Sequence, residues 1–394
     1  MKKILLAGFV FIFVAAVGSA VAADTVKWGT LIDLSGPTSD WGKSSAQGQI
    51  DAAKWINDNG GINGKKLELI IIDDKYKIPD GVTGFKRLQE SDQVAGVYIQ
   101  STGTTHALKD KINSPEAPMP TFGASFNATL QIPKEAPYNF FVGPSYGDQA
   151  RIALKWIKDN WTDKSRNPKV VYIYPDNLYG REILNVVKDY AKKIGVDVGA
   201  DQVVDWPTLS AQTQMQNMKK DNPDFAYITS TAHNAANIIK DAKRLGLKTK
   251  FICNIRASDE KLIKLAGAAS EGVYIVQPFA VYGENVPMMK TVAESNKNPE
   301  FNTVVYVEGW VNMLTIAEAL KRADKAGKIT SAELKKVLET LKDFETGGLA
   351  PPITYSPEDH RASTKARIYE IKGGKFVPAS DYIDIGRDAE YFGK

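Results

Sequence analysis

Along this chain, short runs rich in β-branched and aromatic residues alternate with stretches of roughly ten to sixteen residues in which apolar positions recur at helical spacing. The segments "VKWGTLIDL", "KLELIIID", "VAGVYIQ", "VVYIYP", "DFAYITS" and "GVYIVQPF" read as strands. Between the first two, Ala46, Ile50, Ala53 and either Trp55 or Ile56 fall on one helical face. Gly60 and Gly61 then suit the left-handed turn that ends a helix. Strands alternating with helices predict βαβ units, a parallel sheet and an α/β fold.

The first 23 residues stand apart from this pattern. Lys2 and Lys3 precede an apolar run from Ile4 to Val17 and the small residues "SAVAA", the layout of a secretory signal peptide cut after Ala22 or Ala23. The run is short of the roughly 20 residues a spanning helix needs. No later apolar run approaches that length, so an exported, soluble chain starting near Asp24 is expected. The remaining residues, about 370, exceed what one hydrophobic core organises, which predicts two domains, and no low-complexity linker marks their boundary.

Charge and chemistry narrow the function. Lys and Arg number 50 against 46 Asp and Glu, with two of the lysines in the leading segment and no long block of either sign, so neither nucleic acid nor anionic membrane is an expected partner. The lone Cys253 follows Phe251 and Ile252 and reads as a buried, inert thiol. With only His106, His233 and His360, no nucleophile-elbow, Walker or dinucleotide glycine motif and no histidine pair at metal spacing, neither an enzyme nor a cofactor or metal protein is expected. The acidic cluster Asp73, Asp74 and Asp80 reads as a strand end and the cap of the next element.

A long internal echo points to binding instead. "GTLIDL" is followed by "SGPTSDWGKSSAQG", with Trp41 and Gly42 ahead of a helix; "VVYIYP" is followed by "DNLYGREILNVV", with Tyr179 and Gly180 in the same place. Likewise "VYIQSTGTTHALKD" is echoed by "AYITSTAHNAANIIKD". Each half therefore carries the same pair of polar strand-to-helix loops. In open α/β sheets ligands collect outside the carboxyl ends of the strands, so two lobes with facing loops would clamp a small, anionic molecule between them.

The segments "LSGPTSDWG", "AAKWINDNGGINGKKLELIIIDD" and "SEGVYIV", in that order, resemble the periplasmic leucine/isoleucine/valine-binding proteins, substrate-binding components of ATP-driven importers with the type I periplasmic-binding fold. The resemblance covers nearly the whole chain after the leading segment. It implies two doubly wound parallel-sheet lobes joined by a three-segment hinge, with crossovers near Gly143, Pro278 and Pro351. Lobe I would comprise 24–143 plus 279–350, and lobe II 144–278 plus 351–394. It also implies a periplasmic, monomeric carrier that delivers a small carboxylate ligand to permease subunits. The alternative is a sensing module that signals through a separate membrane partner.

Carried over position by position, the resemblance makes Ser101 the serine that binds the ligand carboxylate, with Thr102 beside it and Gly123 and Ser125 completing that pocket. The residue-level alternative for "STGTT" is an ordinary helix cap. Trp41 and Tyr179 match aromatic cleft walls, against the alternative that each ring packs within its own lobe; Phe279 and Tyr282 are weaker candidates beside a crossover. The sequence departs from the family where amino-acid binders carry an acidic partner for the ligand's ammonium. That position here reads Ile255 or Arg256, and Thr231 replaces a usual aromatic. A carboxylate ligand without an ammonium, such as an aromatic or aliphatic acid, is therefore expected beside the amino-acid alternative, for which Asp259 or Glu260 would have to supply the partner.

Overall fold

The computed structural model describes residues 24–393; the leading segment 1–23 and Lys394 lie outside the described residues. Five parallel strands, β1 (Thr25–Ile32), β2 (Lys66–Asp73), β3 (Val97–Ile99), β4 (Thr121–Gly123) and β5 (Asn139–Phe140), form one sheet in the order β2-β1-β3-β4-β5. That order reverses direction beside β1, as in doubly wound folds, and leaves a crevice at the carboxyl ends of the strands. A second sheet is built from β6 (Lys169–Pro175), β7 (Asp197–Val198), β8 (Gln202–Val204), β9 (Phe225–Ile228), β10 (Lys250–Cys253) and β11 (Tyr274–Gln277), all parallel. The returning chain adds β12 (Lys365–Lys372) antiparallel to β11, with β13 (Lys375–Pro378) and β14 (Ile383–Asp384) paired to β12.

Helices cover both faces of the parallel strands, so β9 and β11 are buried along their whole length. Cys253, at the end of β10, is fully buried, and burial pushes its thiol far above the ordinary range, which leaves it inert at neutral pH. The helix Ser39–Asp58 ends as expected: Gly60 and Gly61 have φ of +96° and +60°, and the Gly61 N–H returns to the Ile56 carbonyl at 2.8 Å.

After β11 the chain crosses back to the first lobe. There the helix Val304–Lys325 lies against the helix Ser39–Asp58. Contact is close because a Cβ on Gly48 would stand 2.2 Å from the Tyr306 carbonyl oxygen, and one on Gly309 would stand 2.6 Å from that of Ser45. The first lobe is therefore discontinuous in sequence, and three chain passages run side by side where the lobes join. The Ala362 N–H reaches the Phe141 carbonyl at 3.1 Å, the Ala280 N–H reaches that of Leu349 at 2.9 Å, and Gly143 abuts Pro278. Beside them the buried Arg361 pairs with Asp148 at 2.9 Å and Asp359 at 2.8 Å. Phe279 is fully buried in the core and Tyr282 packs edge-on against Tyr306, so both serve packing near the hinge.

Candidate functional site

The site grows from the loops that follow β1, β3, β6 and β10. After β1, the Asp33 carboxylate accepts from the backbone N–H groups of Ser35, Gly36 and Thr38 and from the Thr38 hydroxyl at 2.8 Å, which ties "DLSGPT" into a fixed turn. Gln100, at the end of β3, accepts from the Asp33 N–H at 2.7 Å and donates to the Thr38 hydroxyl at 3.0 Å. The Asp73 carboxylate braces the same turn by accepting from the Leu34 N–H at 2.9 Å and the Ser35 hydroxyl at 2.5 Å. Asp73 ends β2 as the sequence suggested, but the cluster does not cap the next helix, whose N-cap is Lys77 with no side-chain bond; Asp73 instead braces the β1 loop, and Asp74 is buried with its carboxyl pushed up to about 6, mainly by loss of water.

The two "aromatic-glycine" echoes have one structural cause. A Cβ on Gly42 would stand 1.9 Å from the Asp33 carbonyl oxygen, and one on Gly180 would stand 2.0 Å from that of Pro175. Only glycine lets the first helical turn close onto the strand end, and this places Trp41 and Tyr179 at equivalent points of the two lobes. Tyr179 is fixed by donating to the Ser230 carbonyl at 3.0 Å and accepting from the Asn254 side chain at 2.8 Å.

Between the lobes lies a narrow slot with a cavity volume of about 30 Å³. The first lobe lines it with Thr38, Trp41, Tyr76, Gln100, Thr102 and Ala124; the second lines it with Tyr146, Tyr179, Trp206, Thr231 and Arg256. Of the eight residues singled out in the sequence, five reach this wall: Trp41, Thr102, Tyr179, Thr231 and Arg256. Ser101, Gly123 and Ser125 sit directly behind it in the chain, next to Thr102 and Ala124. The Ser101 hydroxyl caps the helix Thr102–Ala107 by accepting from the Thr104 N–H at 3.2 Å. Gly123 brings β4 close to β3, since a Cβ there would stand 2.4 Å from the Ile99 carbonyl oxygen. The Ser125 hydroxyl is buried and has no hydrogen-bond partner among the described residues.

The far end of the pocket corrects the sequence reading. Ile255 is buried in the apolar core and does not line the slot; its N–H reaches the Gln149 side chain at 3.4 Å. Arg256 faces it instead, and it is buried at 7% exposure rather than displayed on the surface. Its Nη1 donates to both carboxylate oxygens of Glu308, at 3.1 and 2.8 Å, across the interface from the helix Val304–Lys325. The guanidinium carbon sits 4.9 Å from the centre of the Trp41 ring and 4.7 Å from that of Phe126. Asp259 and Glu260, the alternative partners for an ammonium, do not line the slot. Asp259 caps the helix Glu260–Ala266, while Glu260 accepts from the N–H groups of Val304 at 2.7 Å and Tyr282 at 3.2 Å.

Sequence reasoning missed Thr38, Tyr76, Gln100, Ala124, Tyr146 and Trp206 as wall residues, and Glu308 behind them. Tyr76 offered a signal only in three dimensions: with Lys75 it holds a positive φ, a conformation that is uncommon outside glycine and aims its ring at the slot. Tyr146 donates its hydroxyl to the Ala124 carbonyl at 2.7 Å and meets Tyr179 edge-on at 5.2 Å. Its phenol is pushed up by burial, which the neighbouring Arg256 cation partly offsets. Trp206 stands edge-on to Tyr179 at 5.9 Å, closing the aromatic end of the slot.

Two α/β lobes that share one polar-and-aromatic slot at their strand ends define a ligand-clamping protein. Residues 25–375 match the model of the periplasmic binding protein family, and the chain belongs to that family. Among its relatives, the leucine-, isoleucine-, valine-, threonine- and alanine-binding protein of Pseudomonas aeruginosa is 23% identical over 83% of this chain and 85% of that protein. The Leu/Ile/Val-binding protein of Escherichia coli is 23% identical over 75% of this chain and 79% of that protein. The structure superimposes on a branched-chain amino acid ABC transporter protein from Thermus thermophilus with bound valine (TM-score 0.85, 24% identity, 92% of this chain and 97% of the other). It also superimposes on a fatty acid ABC transporter substrate-binding protein from Thermomonospora curvata (TM-score 0.81, 21% identity, 92% of each chain). A binding role, not an enzymatic one, follows from the family.

Proposed function

We propose that this protein is the extracytoplasmic substrate-binding component of an ATP-driven importer: a monomer that closes its two lobes on a small carboxylate ligand and presents the closed form to permease subunits. The observation that carries this reading is the slot itself, whose wall is divided almost evenly between two lobes that the chain connects only at a hinge. A ligand there adds contacts to both lobes at once, and so favours closure by its differential affinity for the closed form.

In this reading the lobes comprise 24–143 with 279–350 and 144–278 with 351–394. Trp41, Tyr179 and Trp206 cover the ligand's apolar body, while Thr102 and Thr231 supply short, uncharged polar groups on the wall, with Ser101, Gly123 and Ser125 directly behind it. The relatives named for leucine, isoleucine and valine support transport of a small organic acid, and the relative named for fatty acid shows that the fold is also used with acids that carry no amine. The test is small-angle scattering on the protein from 24 onward with and without candidate acids and amino acids, followed by ATPase assays with the cognate permease. A bound ligand is expected to shrink the radius of gyration, and the loaded protein is expected to stimulate ATP hydrolysis. Binding at saturation with no compaction would count against the clamp.

A further inference from the structure

Arg256 is the one wall residue with a formal charge among the described residues, and two of its donors are unspent. Its Nη1 is held by Glu308, but Nε and Nη2 are buried and have no hydrogen bond of ordinary geometry among the described residues; the Tyr146 hydroxyl lies beside the guanidinium and donates to the Ala124 carbonyl. Buried guanidinium donors are rarely left unpaired, because desolvation without compensation is expensive. Those two nitrogens share one edge of the planar group, the fork whose parallel N–H bonds match the two oxygens of a carboxylate. Glu308 on one edge and the rings of Trp41 and Phe126, each within 5 Å of the guanidinium carbon, leave the group little freedom to turn. The fork is therefore preorganised, and it belongs to a residue on the slot wall.

We infer that the Nε–Nη2 edge of Arg256 receives the ligand carboxylate as a bidentate pair, and that the ligand is a small acid with no ammonium group. This rests on the clamp reading above and goes beyond it by naming the ligand class and the residue that selects it. Glu308 is already paired with the Arg256 cation and does not line the slot, so it does not meet an incoming ammonium. Neither Asp259, one of whose oxygens is buried and unpaired among the described residues, nor Glu260 lines the slot. An α-amino acid would therefore bring a cation up to a guanidinium and bury it without a partner, whereas the same acid without its amine completes the fork. The unpaired Ser125 hydroxyl, one residue before Phe126, is placed to donate to the same carboxylate.

The experiment compares matched pairs by calorimetry: leucine with 4-methylpentanoate, phenylalanine with 3-phenylpropanoate, and benzoate as a compact aromatic acid. At least one acid is expected to bind, with its amino-acid counterpart at least a hundredfold weaker. Arg256→Lys, which keeps the charge and loses the fork, is expected to weaken that acid at least tenfold with unliganded melting temperature preserved. Leucine or phenylalanine binding as tightly as its deaminated partner would overturn the inference, as would Arg256→Lys with affinity within threefold of wild type, or a panel in which no acid binds. Should Arg256→Lys fail to fold, the wild-type pairs decide alone. An amino acid that binds and compacts the particle refutes the fork but keeps the clamp; an acid that binds without compaction does the reverse.

Discussion

At the scale of single residues, the slot divides its hydroxyls into those already employed and those still free. Ser101 accepts from the Thr104 N–H, so its oxygen contributes to a helix cap whatever its role toward a ligand. Ser101→Ala is expected to cost about 1 kcal/mol of folding stability through the cap. If its hydroxyl also donates to a bound carboxylate, affinity falls about ten- to a hundredfold, the equivalent of roughly 1.5–3 kcal/mol. Chemical denaturation and calorimetry on the same variant separate the two, and a stability loss with unchanged affinity would reduce Ser101 to a cap. Ser125 has no such double duty, being buried and unpaired. Ser125→Ala is expected to leave the unliganded protein as stable as wild type or slightly more so, because an uncompensated hydroxyl is removed, while weakening ligand binding.

At the scale of elements, the fold repeats one device, a glycine at the first turn of a helix where that turn closes on a strand end. Gly42 and Gly180 stand so near the carbonyls of Asp33 and Pro175 that a methyl group overlaps backbone atoms rather than a flexible side chain. Gly42→Ala and Gly180→Ala are each expected to destabilise by about 1–3 kcal/mol, the range for overpacking a tight site, and to displace Trp41 or Tyr179 from the slot wall. Thermal denaturation reads the first effect and ligand affinity the second. A variant as stable and as tight-binding as wild type would show that the helix can shift away at no cost. The crossing of Gly48 over Gly309 uses the same close approach to seat the helix Val304–Lys325, and with it Glu308, against the helix that carries Trp41.

At the scale of the whole molecule, the Glu182 carboxyl bridges the lobes, and a pH dependence of stability is the prediction it carries. Glu182, just after β6, accepts from the Ala128 N–H of the first lobe at 2.8 Å, while its second oxygen is buried without a partner among the described residues. Burial is the main cause that raises its carboxyl from 4.5 to about 8, with the Asp148 charge adding to it and the Ala128 N–H opposing it. Between those values the folded protein keeps a proton that the unfolded chain releases. The contribution to stability is therefore full below about 4.5 and is lost as pH rises toward and through 8. Glu182→Gln keeps the acceptor and removes the titration, so the variant's melting temperature is expected to exceed that of wild type by a margin that widens from about pH 5 to about pH 9. A constant margin would mean that Glu182 is ionised in the folded protein throughout.

The alternation of apolar runs with helical spacing was enough to specify an α/β fold, because parallel strands covered on both faces must be apolar and the connecting helices amphipathic. The echoed "WG" and "YG" pairs also disclosed two equivalent loops, since a steric need for glycine leaves a mark that a single residue can carry. Strands as short as "TFG" and "NF" were not legible, for two or three residues show no period and are held only by their neighbours in the sheet. The site was legible where it follows local loop chemistry, as at Trp41, Thr102 and Tyr179. It was not legible where the decision depends on residues far apart in the chain. Whether Ile255 or Arg256 lines the slot depends on which way one loop turns after β10, and whether that arginine is a surface charge or a buried group depends on Glu308, 52 positions away. A sequence can display a charge without its counterion; the electrostatic character of the pocket exists only once the two lobes bring Arg256, Glu308, Trp41 and Phe126 together out of water.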